Sequence, residues 1–312
     1  KPILWRKNWE NWEFINMHIP VLLKESTELL NPKPGDVILD ATINGGGHSE
    51  KILKAIGEKG KLIGIDQDGE VLNKLKEKWK GRKNILLARD NFRNLDKVLA
   101  SLKIEKINGA IFDIGISSSQ IDESGRGFSF QKDEPLLMSM KSEIEPGDLT
   151  AKEIVNNWNE KDLADIVWKY GEERFSRKIA KNIVRRREVK AIETTLELVD
   201  AIRESVPPFY RNSRRINCAT RTFQALRIAV NDELGALEEG LRKAWSFFDK
   251  GGRLAVMSFH SLEDRIVKKY FKELAAKGEG KIITKKPLAP EEEEKRINPR
   301  SRSAKLRAIE KI

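Results

Sequence analysis

The segment VILDATINGGGHSEKILKAIGEKGKLIGID, residues 37–66, has the pattern of one strand, one helix and a second strand. The first apolar run ends at Asp40 and the second at Asp66, and a helical periodicity begins near His48 between them. Three consecutive glycines separate the first strand from this helix. The order is typical of a βαβ unit, in which a helix connects two parallel strands of one sheet. The segment therefore predicts a parallel sheet covered by helices.

The same alternation continues beyond residue 66. Further apolar runs end at Ala88 and at Ile114, and helical stretches begin near Gly69 and Arg93. Four strands joined by three crossover helices predict a doubly wound α/β sheet. In such sheets ligands bind at the carboxyl ends of the strands, so the residues that follow each strand are the first candidates for a site.

Strand patterns stop near residue 122 and return only at RLAVMSF, residues 253–259. Apolar residues at helical spacing fill the interval, among them Leu163, Ile166 and Val167. This organisation predicts an α/β domain that is interrupted by an all-helical insertion. The predicted parts are an N-terminal extension of open origin over 1–16, the discontinuous α/β domain over 17–121 and 223–312, and the helical insertion over 122–222.

Three segments outside the first four strands carry predictions of their own. Apolar residues recur every three or four positions from Phe223 to Trp245 and predict one long helix that leads back into the sheet. The acidic run Glu291–Glu294 and the basic tail after it predict a solvated connection. The three tryptophans of the N-terminal extension fit one helical face, which is a docking stripe or part of a leader.

The composition is that of a basic globular protein. Lys and Arg number 59 against 48 Asp and Glu, for a net charge of +11, and 39% of the residues are hydrophobic. A basic surplus attracts polyanions such as nucleic acid or anionic lipid, without selecting between them. Cys218 is the only cysteine, which excludes an intrachain disulfide and fits a reducing cytoplasm. Because there is neither an apolar run of 18 residues nor a secretory signal pattern, we expect no membrane partner.

The glycine loop and Asp66 together indicate a ribose-bearing cofactor. Gly45, Gly46 and Gly47 permit close approach of a ligand, although a tight turn would use them too. Asp66 stands at the end of the second strand, where a carboxylate can accept both hydroxyls of a ribose. The loop lacks the G-x-G-x-x-G spacing that seats a pyrophosphate on a helix. S-adenosylmethionine, which has an adenosine and no phosphate, fits this combination better than a dinucleotide.

The fourth strand runs into Asp113, a glycine turn and polar residues up to Gln120. A carboxylate at this edge of the sheet is placed to meet a substrate, while turn chemistry is the alternative explanation. His48 and His260 lack the H-x-x-x-H or H-E-x-x-H spacing of metal ligands, so no metal site is predicted.

These segments resemble the RsmH (MraW) family of class I methyltransferases, which act on the N4 amine of a cytidine in small-subunit (16S) ribosomal RNA. The resemblance runs from His18 to the C-terminus, and the matching stretches include DATINGGGHS, IGIDQD, FDIGISSSQID, RGFSF, YGEERFSRKIAKNIV, ATRTFQALRIAVNDEL and GGRLAVMSFHSLEDRIVK. It implies a Rossmann-like methyltransferase domain, S-adenosylmethionine as the cofactor and an insertion that recognises RNA. The implied partner is small-subunit ribosomal RNA, naked or within the assembled subunit.

The resemblance also implies the site residues by position. Gly46, Gly47 and His48 would surround the methionine part of the cofactor, and Asp66 would hold the ribose. The pocket would be completed by Phe92, Asp113 and Gln120. Ordinary core packing explains Phe92 equally well. Asp113 is in addition the expected catalytic residue, because an acceptor bonded to the attacking amine favours the positive charge that develops on it.

The chain departs from the family pattern at the entry to the insertion. Where the family reads PLDMRMD, residues 135–141 read PLLMSMK. Leu137, Ser139 and Lys141 thus replace two acids and an arginine, which leaves the consequence for substrate choice open.

Basic residues of the insertion predict an RNA surface. Eight Lys or Arg lie between residues 174 and 190, and the candidate RNA contacts are Arg185, Arg186, Arg187, Arg214 and Arg215, with a solvated face as the alternative. Phe128 and Phe130 are candidates to receive an unstacked base, or to pack in the core. Two other classes of protein remain possible: a non-catalytic RNA-binding ribosome assembly factor on the same fold, and a nucleotide-dependent oxidoreductase, which the glycine spacing disfavours.

Overall fold

A seven-stranded sheet forms the centre of the protein in a computed structural model, which describes residues 20–116, 118–212 and 217–312. The strands are β1 (Val37–Asp40), β2 (Lys61–Asp66), β3 (Ile85–Arg89), β4 (Ile107–Asp113), β5 (Phe248–Ser258), β6 (Gly280–Ile282) and β7 (Lys305–Lys311). Their order is β3-β2-β1-β4-β5-β7-β6, with β1 to β5 parallel and β7 antiparallel to both of its neighbours. The parallel strands β1 to β5, with helices on both faces, confirm the predicted α/β fold class.

Helices cover both faces of the sheet. One face carries α1 (Leu23–Leu30), α2 (Gly47–Ile56) and α3 (Gly69–Lys78), and the other carries α4 (Leu95–Ser101), α12 (Glu233–Phe247) and α13 (Ser261–Ala276). Each helix presents apolar residues at helical spacing, such as Ile52 and Ile56 of α2 or Leu237 and Leu241 of α12, all fully buried. Two apolar layers therefore hold the sheet between them.

The chain between β4 and α12 is helical. It contains α5 (Ser118–Asp122), α6 (Ala151–Asn157), α7 (Glu160–Lys169), α8 (Ser176–Arg187), α9 (Thr195–Ser205), α10 (Pro208–Arg211) and α11 (Thr220–Asn231). Side chains of Thr150, Asn159 and Thr194 cap α6, α7 and α9. These helices enclose a separate apolar core, to which Phe223 and Leu226 of α11 also belong. The predicted boundary at residue 223 thus falls inside a helix that packs on the helical core.

The predicted single helix from Phe223 to Trp245 is wrong. The helix ends at Asn231 and a new one begins at Glu233, because Asp232 adopts a left-handed backbone with φ 44°. The Asn231 amide fastens this break to the entry of the insertion: it donates to the carbonyl of Met138 and accepts from the N–H of Met140, both at 2.8 Å.

The C-terminal segment is also more ordered than the predicted solvated connection. The acidic run lies at the start of a short helix, α14 (Glu292–Ile297), and Glu294 accepts a hydrogen bond of 2.9 Å from the N–H of Leu22. The tail then enters the sheet as β7, between β5 and β6. Charged residues alternate with the buried Leu306, Ala308 and Ile309 along β7, so its sequence lacks the continuous apolar run that marks the first four strands.

The prediction for residues 1–16 lies outside the described residues. Within them, no helix is long and apolar enough to cross a membrane.

Candidate active site

A cleft of about 590 Å³ opens at the carboxyl edge of the sheet. Its wall is built by the residues that follow β1 to β4, by α5, and by the break between α11 and α12. Each of the four strands ends in or next to an aspartate: Asp40, Asp66, Asp90 and Asp113. The fold thus gathers at one edge four acids that are far apart in the sequence.

Asp66 lies in the wall of the cleft and is held by the loops on either side of it. Its Oδ2 accepts from the N–H of Asn44 at 3.0 Å, and its Oδ1 accepts from the N–H of Asp68 at 2.9 Å. Burial raises the pKa of Asp66 to about 6 in spite of these bonds. Each carboxylate oxygen keeps a second lone pair, so the pair can still accept two hydroxyl groups of a ligand.

Phe92 and Gln120 also line the cleft. The Phe92 ring meets Phe112 of the sheet core edge to face, with centroids 5.6 Å apart. Core packing and a contact with the cofactor are therefore compatible for Phe92, because one side of its ring packs on the core and another faces the cleft. Gln120 is a buried residue of α5.

Gly46, Gly47 and His48 lie behind the wall of the cleft and are not among its lining residues. A Cβ atom on Gly46 would come within 2.8 Å of the Trp79 ring, and one on Gly47 within 2.1 Å of Pro20. His48 is buried, with its Nε2 3.1 Å from the carbonyl of Val21. The structure thus accounts for both glycines by close packing within the protein.

Asp113 is buried beside this loop. Its Oδ2 lies 3.7 Å from Nδ1 of His48, and its Oδ1 has no hydrogen-bond partner among the described residues. Its backbone N–H donates to the hydroxyl of Thr42, which lines the cleft, at 2.6 Å. Burial raises the pKa of Asp113 to about 8, and the carboxylates of Asp40 and Glu263 act in the same direction. The carboxyl group is therefore held largely protonated. Its Oδ1 is buried, and Asp113 is not among the residues that line the cleft.

The cleft is acidic. Among its described lining residues are Asp66, Asp90 and Glu233, and no lysine, arginine or histidine. Asp90 accepts from the N–H of Asn91 and from Asn94 through Oδ1, whereas its Oδ2 has no partner among the described residues. Such a surface repels phosphates and favours a ligand that carries positive charge.

Glu233, His260 and Glu263 bring potential metal ligands within 4.8 Å of one another next to the cleft. However, both oxygens of Glu233 accept from the Arg227 guanidinium, at 2.7 and 2.8 Å. Burial would raise the pKa of Glu263, but His260 at 3.0 Å and Arg227 hold it below its usual range. Because the Arg227 guanidinium already pairs with Glu233, and Nδ1 of His260 accepts from the N–H of Glu263, this donor set fits a hydrogen-bonded ion-pair network better than a metal site.

The entry to the insertion forms one side of the cleft through Met140. Arg126 holds this segment: its Nη1 donates to the carbonyls of Ser139, Met140 and Lys141 at 3.1, 3.1 and 2.7 Å. Its Nη2 pairs at 2.7 Å with Asp68, two residues beyond Asp66. We call Arg126 and its partners the Arg126 clamp. The segment that departs from the family pattern is thereby tied to the loop of Asp66.

Several cleft residues were not among the predicted ones. Asp90 follows β3 as Asp66 ends β2, so its position in the strand pattern is a signal that could have identified it. Met140, Asn231 and Glu233 carry no such local signal, because they reach the cleft only through the packing of the insertion and the break at Asp232.

Two arginines of the predicted basic cluster Arg185–Arg187 form hydrogen bonds within the insertion. Arg186 donates to the carbonyl of Glu197 at 3.2 Å, and Arg187 donates to the carbonyl of Val155 at 2.7 Å. Arg185 is exposed and lies 4.0 Å from Glu204. Arg214 and Arg215 lie outside the described residues.

Neither predicted base-receiving aromatic lines the cleft. Phe128 is buried in the helical core, and Phe130 packs edge to face on Phe223 with centroids 5.4 Å apart. Core packing is therefore the better explanation of both.

Comparison with known proteins gives one consistent result. The sequence profile of the MraW methylase family matches residues 15–312. A protein of Clostridium botulinum (strain 657 / Type Ba4) named ribosomal RNA small subunit methyltransferase H is 47% identical over 310 residues, covering 95% of this chain and 99% of the relative. Proteins of the same name from Caldicellulosiruptor saccharolyticus and Heliobacterium modesticaldum are each 48% identical and cover 95% of this chain, with 99% and 98% of their own length aligned.

Proposed function

Because the chain belongs to the MraW methylase family, we propose that it transfers a methyl group from S-adenosylmethionine to the N4 amine of a cytidine in small-subunit (16S) ribosomal RNA. The observation that carries this proposal is the match over nearly the whole chain to relatives named for small-subunit ribosomal RNA methylation. The acidic cleft at the carboxyl edge of the sheet supports it independently.

The residues of the cleft fit the cofactor. S-adenosylmethionine, when bound, supplies a methyl group activated by a sulfonium, and it carries a second positive charge on its amine. Asp66 and Asp90, with no basic side chain among the described lining residues of the cleft, suit such a cation, whereas a dinucleotide would bring phosphates against carboxylates. This charge argument disfavours the oxidoreductase alternative.

Each predicted cofactor residue has a task in the proposal. Asp66 accepts the ribose hydroxyls through its remaining lone pairs, and Phe92 offers an apolar face to the adenine. Gln120 adds an amide at the insertion side of the cleft. Gly46 and Gly47 let the loop pack tightly, so that His48 stays beside the carboxyl group of Asp113.

Asp113 orients the attacking amine. Cytosine N4 is a weak nucleophile because its lone pair is delocalised into the ring, so holding the amine in line with the methyl group is the main catalytic task. In the proposal the Oδ1 of Asp113, which is buried and has no partner among the described residues, accepts a hydrogen bond from the amine once the base has entered the site. That bond strengthens as positive charge develops on the nitrogen. The amine loses its proton after transfer, so no strong base is required.

The insertion supplies the RNA-binding surface, and the division into a methyltransferase domain over 17–121 and 223–312 and an insertion over 122–222 belongs to the proposal. In the predicted cluster Arg185 is the best placed to meet phosphate, because Arg186 and Arg187 already serve carbonyl groups. A ribosomal substrate locates the activity in the cytoplasm.

The test is transfer of a labelled methyl group. Purified protein is incubated with methyl-labelled S-adenosylmethionine and, in parallel, small subunits that lack the modification, large subunits and naked 16S transcript. We expect label in small-subunit RNA and none in large subunits. Binding of the cofactor and of small subunits without any transfer would favour the alternative, a non-catalytic ribosome assembly factor.

A further inference from the structure

A stripe of basic residues begins just before α8 and continues over the first half of this helix. Arg174 lies two residues before the helix, and Arg177, Lys178 and Lys181 lie on it. All four are exposed, while Ile179, Ala180 and Ile183 on the opposite face are buried in the helical core. We call these four residues the α8 stripe.

The charge of the α8 stripe is not neutralised within the described part of the chain. No Asp or Glu occurs from residue 174 to residue 187, and the ion pairs of α8 begin only at Arg185. Arg177 and Lys178 also lie in the first turn of the helix, where the helix dipole adds to the positive field of side chains. This face therefore attracts anions more strongly than a solvated face with mixed charges.

An aromatic group stands at the end of the stripe. The Arg174 guanidinium lies 4.8, 5.8 and 5.1 Å from the ring centroids of Phe175, Phe209 and Tyr210. Phe209 is 69% exposed. An exposed ring beside a guanidinium offers a surface on which an unpaired base can stack.

The stripe begins at the catalytic edge of the sheet. Glu172, two residues before Arg174, accepts from Ser261 at 2.7 Å and from Arg265 at 3.0 Å. Both donors belong to the start of α13, which follows β5, and the carboxyl end of β5 pairs with Asp113 of β4. A strand of RNA along the stripe would therefore run towards the cleft.

We propose that the α8 stripe binds the phosphates of a single-stranded RNA segment next to the target cytidine, and that Phe209 stacks on an unpaired base of that segment. The proposal rests on the proposed function for the identity of the RNA. It assigns the main phosphate contacts to residues 174–181, in place of the Arg185–Arg187 cluster.

The charge test compares two triple variants. Arg177→Gln/Lys178→Gln/Lys181→Gln removes three charges of the stripe, and Lys268→Gln/Lys269→Gln/Lys272→Gln removes three exposed charges from α13 as the matched control. Binding to fluorescent 16S transcript and to labelled small subunits, together with KM and kcat for methylation, is measured across a salt series.

For the stripe variant we expect the KM for RNA to rise about 10-fold or more, and the slope of log affinity against log salt to fall by about 2, because each single-strand phosphate contact contributes about 0.7. Its kcat and its affinity for S-adenosylmethionine should stay within about twofold of the parent values, a change well below the tenfold step that corresponds to about 1.4 kcal/mol. The control variant should keep the salt slope of the parent.

Stacking is tested separately at Phe209. Phe209→Ala should weaken RNA binding about fivefold or more, whereas Phe209→Tyr, which keeps a ring, should bind as the parent does. Equal losses for both variants would contradict stacking.

The outcomes separate this proposal from the proposed function. A parent protein that methylates small-subunit RNA, with an unchanged salt slope in a folded stripe variant, overturns the stripe alone. If the stripe variant binds small subunits more weakly but binds the transcript as the parent does, the surface contacts a ribosomal protein, and the stripe proposal is also overturned. A parent that transfers no methyl group refutes the proposed function, and transcript binding still decides on the stripe.

Discussion

Asp66 is the residue that we propose to hold the ribose of the cofactor. Replacing it with alanine removes a charged acceptor of two hydroxyl groups, so we expect the free energy of S-adenosylmethionine binding to weaken by about 1.5 to 3 kcal/mol. Calorimetry measures the change, and Glu70→Ala, which removes an exposed acid in the first turn of α3, serves as the control. Because Asp66 also holds the N–H groups of Asn44 and Asp68, thermal unfolding must show that the variant is folded. Unchanged affinity in a folded variant would refute the ribose assignment.

Asp113 carries the proposed contact with the amine. Asp113→Ala removes an acceptor that gains strength in the transition state, and we expect single-turnover methylation to fall about 100-fold or more. Rates are compared at saturating cofactor and RNA, because Asp113 also lies next to His48 of the glycine loop, which we expect to contact the cofactor. A variant that transfers methyl at close to the parent rate would leave the orientation of the amine to another group, with Asp40 or Asn44 the nearest candidates.

The protonation of Asp113 makes stability depend on pH. Its pKa is about 8 in the folded protein against about 3.9 in an unfolded chain, so folding takes up a proton between these values. The contribution of Asp113 to the free energy of unfolding is complete below about pH 4 and is lost as the pH rises through about 8. The limiting slope of this free energy against pH is about 1.4 kcal/mol per pH unit.

Asp40 and Asp66, with pKa values of about 6, act in the same direction over the lower part of this window. Between pH 6.5 and 8, urea unfolding of the parent should therefore become easier, and Asp113→Asn should flatten this dependence. Equal slopes for parent and variant would show that Asp113 is ionised throughout.

At the level of elements, the Arg126 clamp joins the insertion to the loop that follows Asp66. Arg126→Met leaves three carbonyls without a donor and Asp68 buried without its partner, so we expect a loss of about 3 to 5 kcal/mol in stability. Cofactor affinity should also fall, because Met140 would no longer be held against the cleft. The double variant Arg126→Met/Asp68→Asn should recover part of the stability. No recovery would contradict the pairing as the cause.

The elements that the sequence predicts well are those with continuous apolar runs. Strands β1, β2 and β4 are buried on both faces and the edge strand β3 is half-buried, and each is recognisable from its own residues. Strand β7 alternates charged and apolar residues, and the break at Asp232 depends on tertiary contacts of Asn231, so neither is visible in local periodicity. The same limit applies to the site. Asp66 follows from strand order, whereas Glu233 and Met140 enter the cleft only through packing of the insertion.

At the scale of the whole molecule, acidic and basic side chains lie on two separate surfaces. The cleft is lined by acids, which suit a cationic cofactor, while the α8 stripe carries the exposed basic side chains to which we assign the RNA in our proposal. The bond from Glu172 to Ser261 and Arg265 keeps the basic face of the insertion next to the carboxyl edge of the sheet. This arrangement explains how a net charge of +11 coexists with an acidic site.

The most direct test of the account is the chemical position of the transferred methyl group. Unmodified small subunits are incubated with the protein and S-adenosylmethionine that carries a trideuterated methyl group, and the RNA is digested to nucleosides for chromatography and mass spectrometry. The account predicts a cytidine that carries the label and co-elutes with an N4-methylcytidine standard. Label on carbon 5 of cytosine, on a ribose hydroxyl or in another nucleoside would contradict it, as would a complete absence of label when cofactor and subunit are both bound.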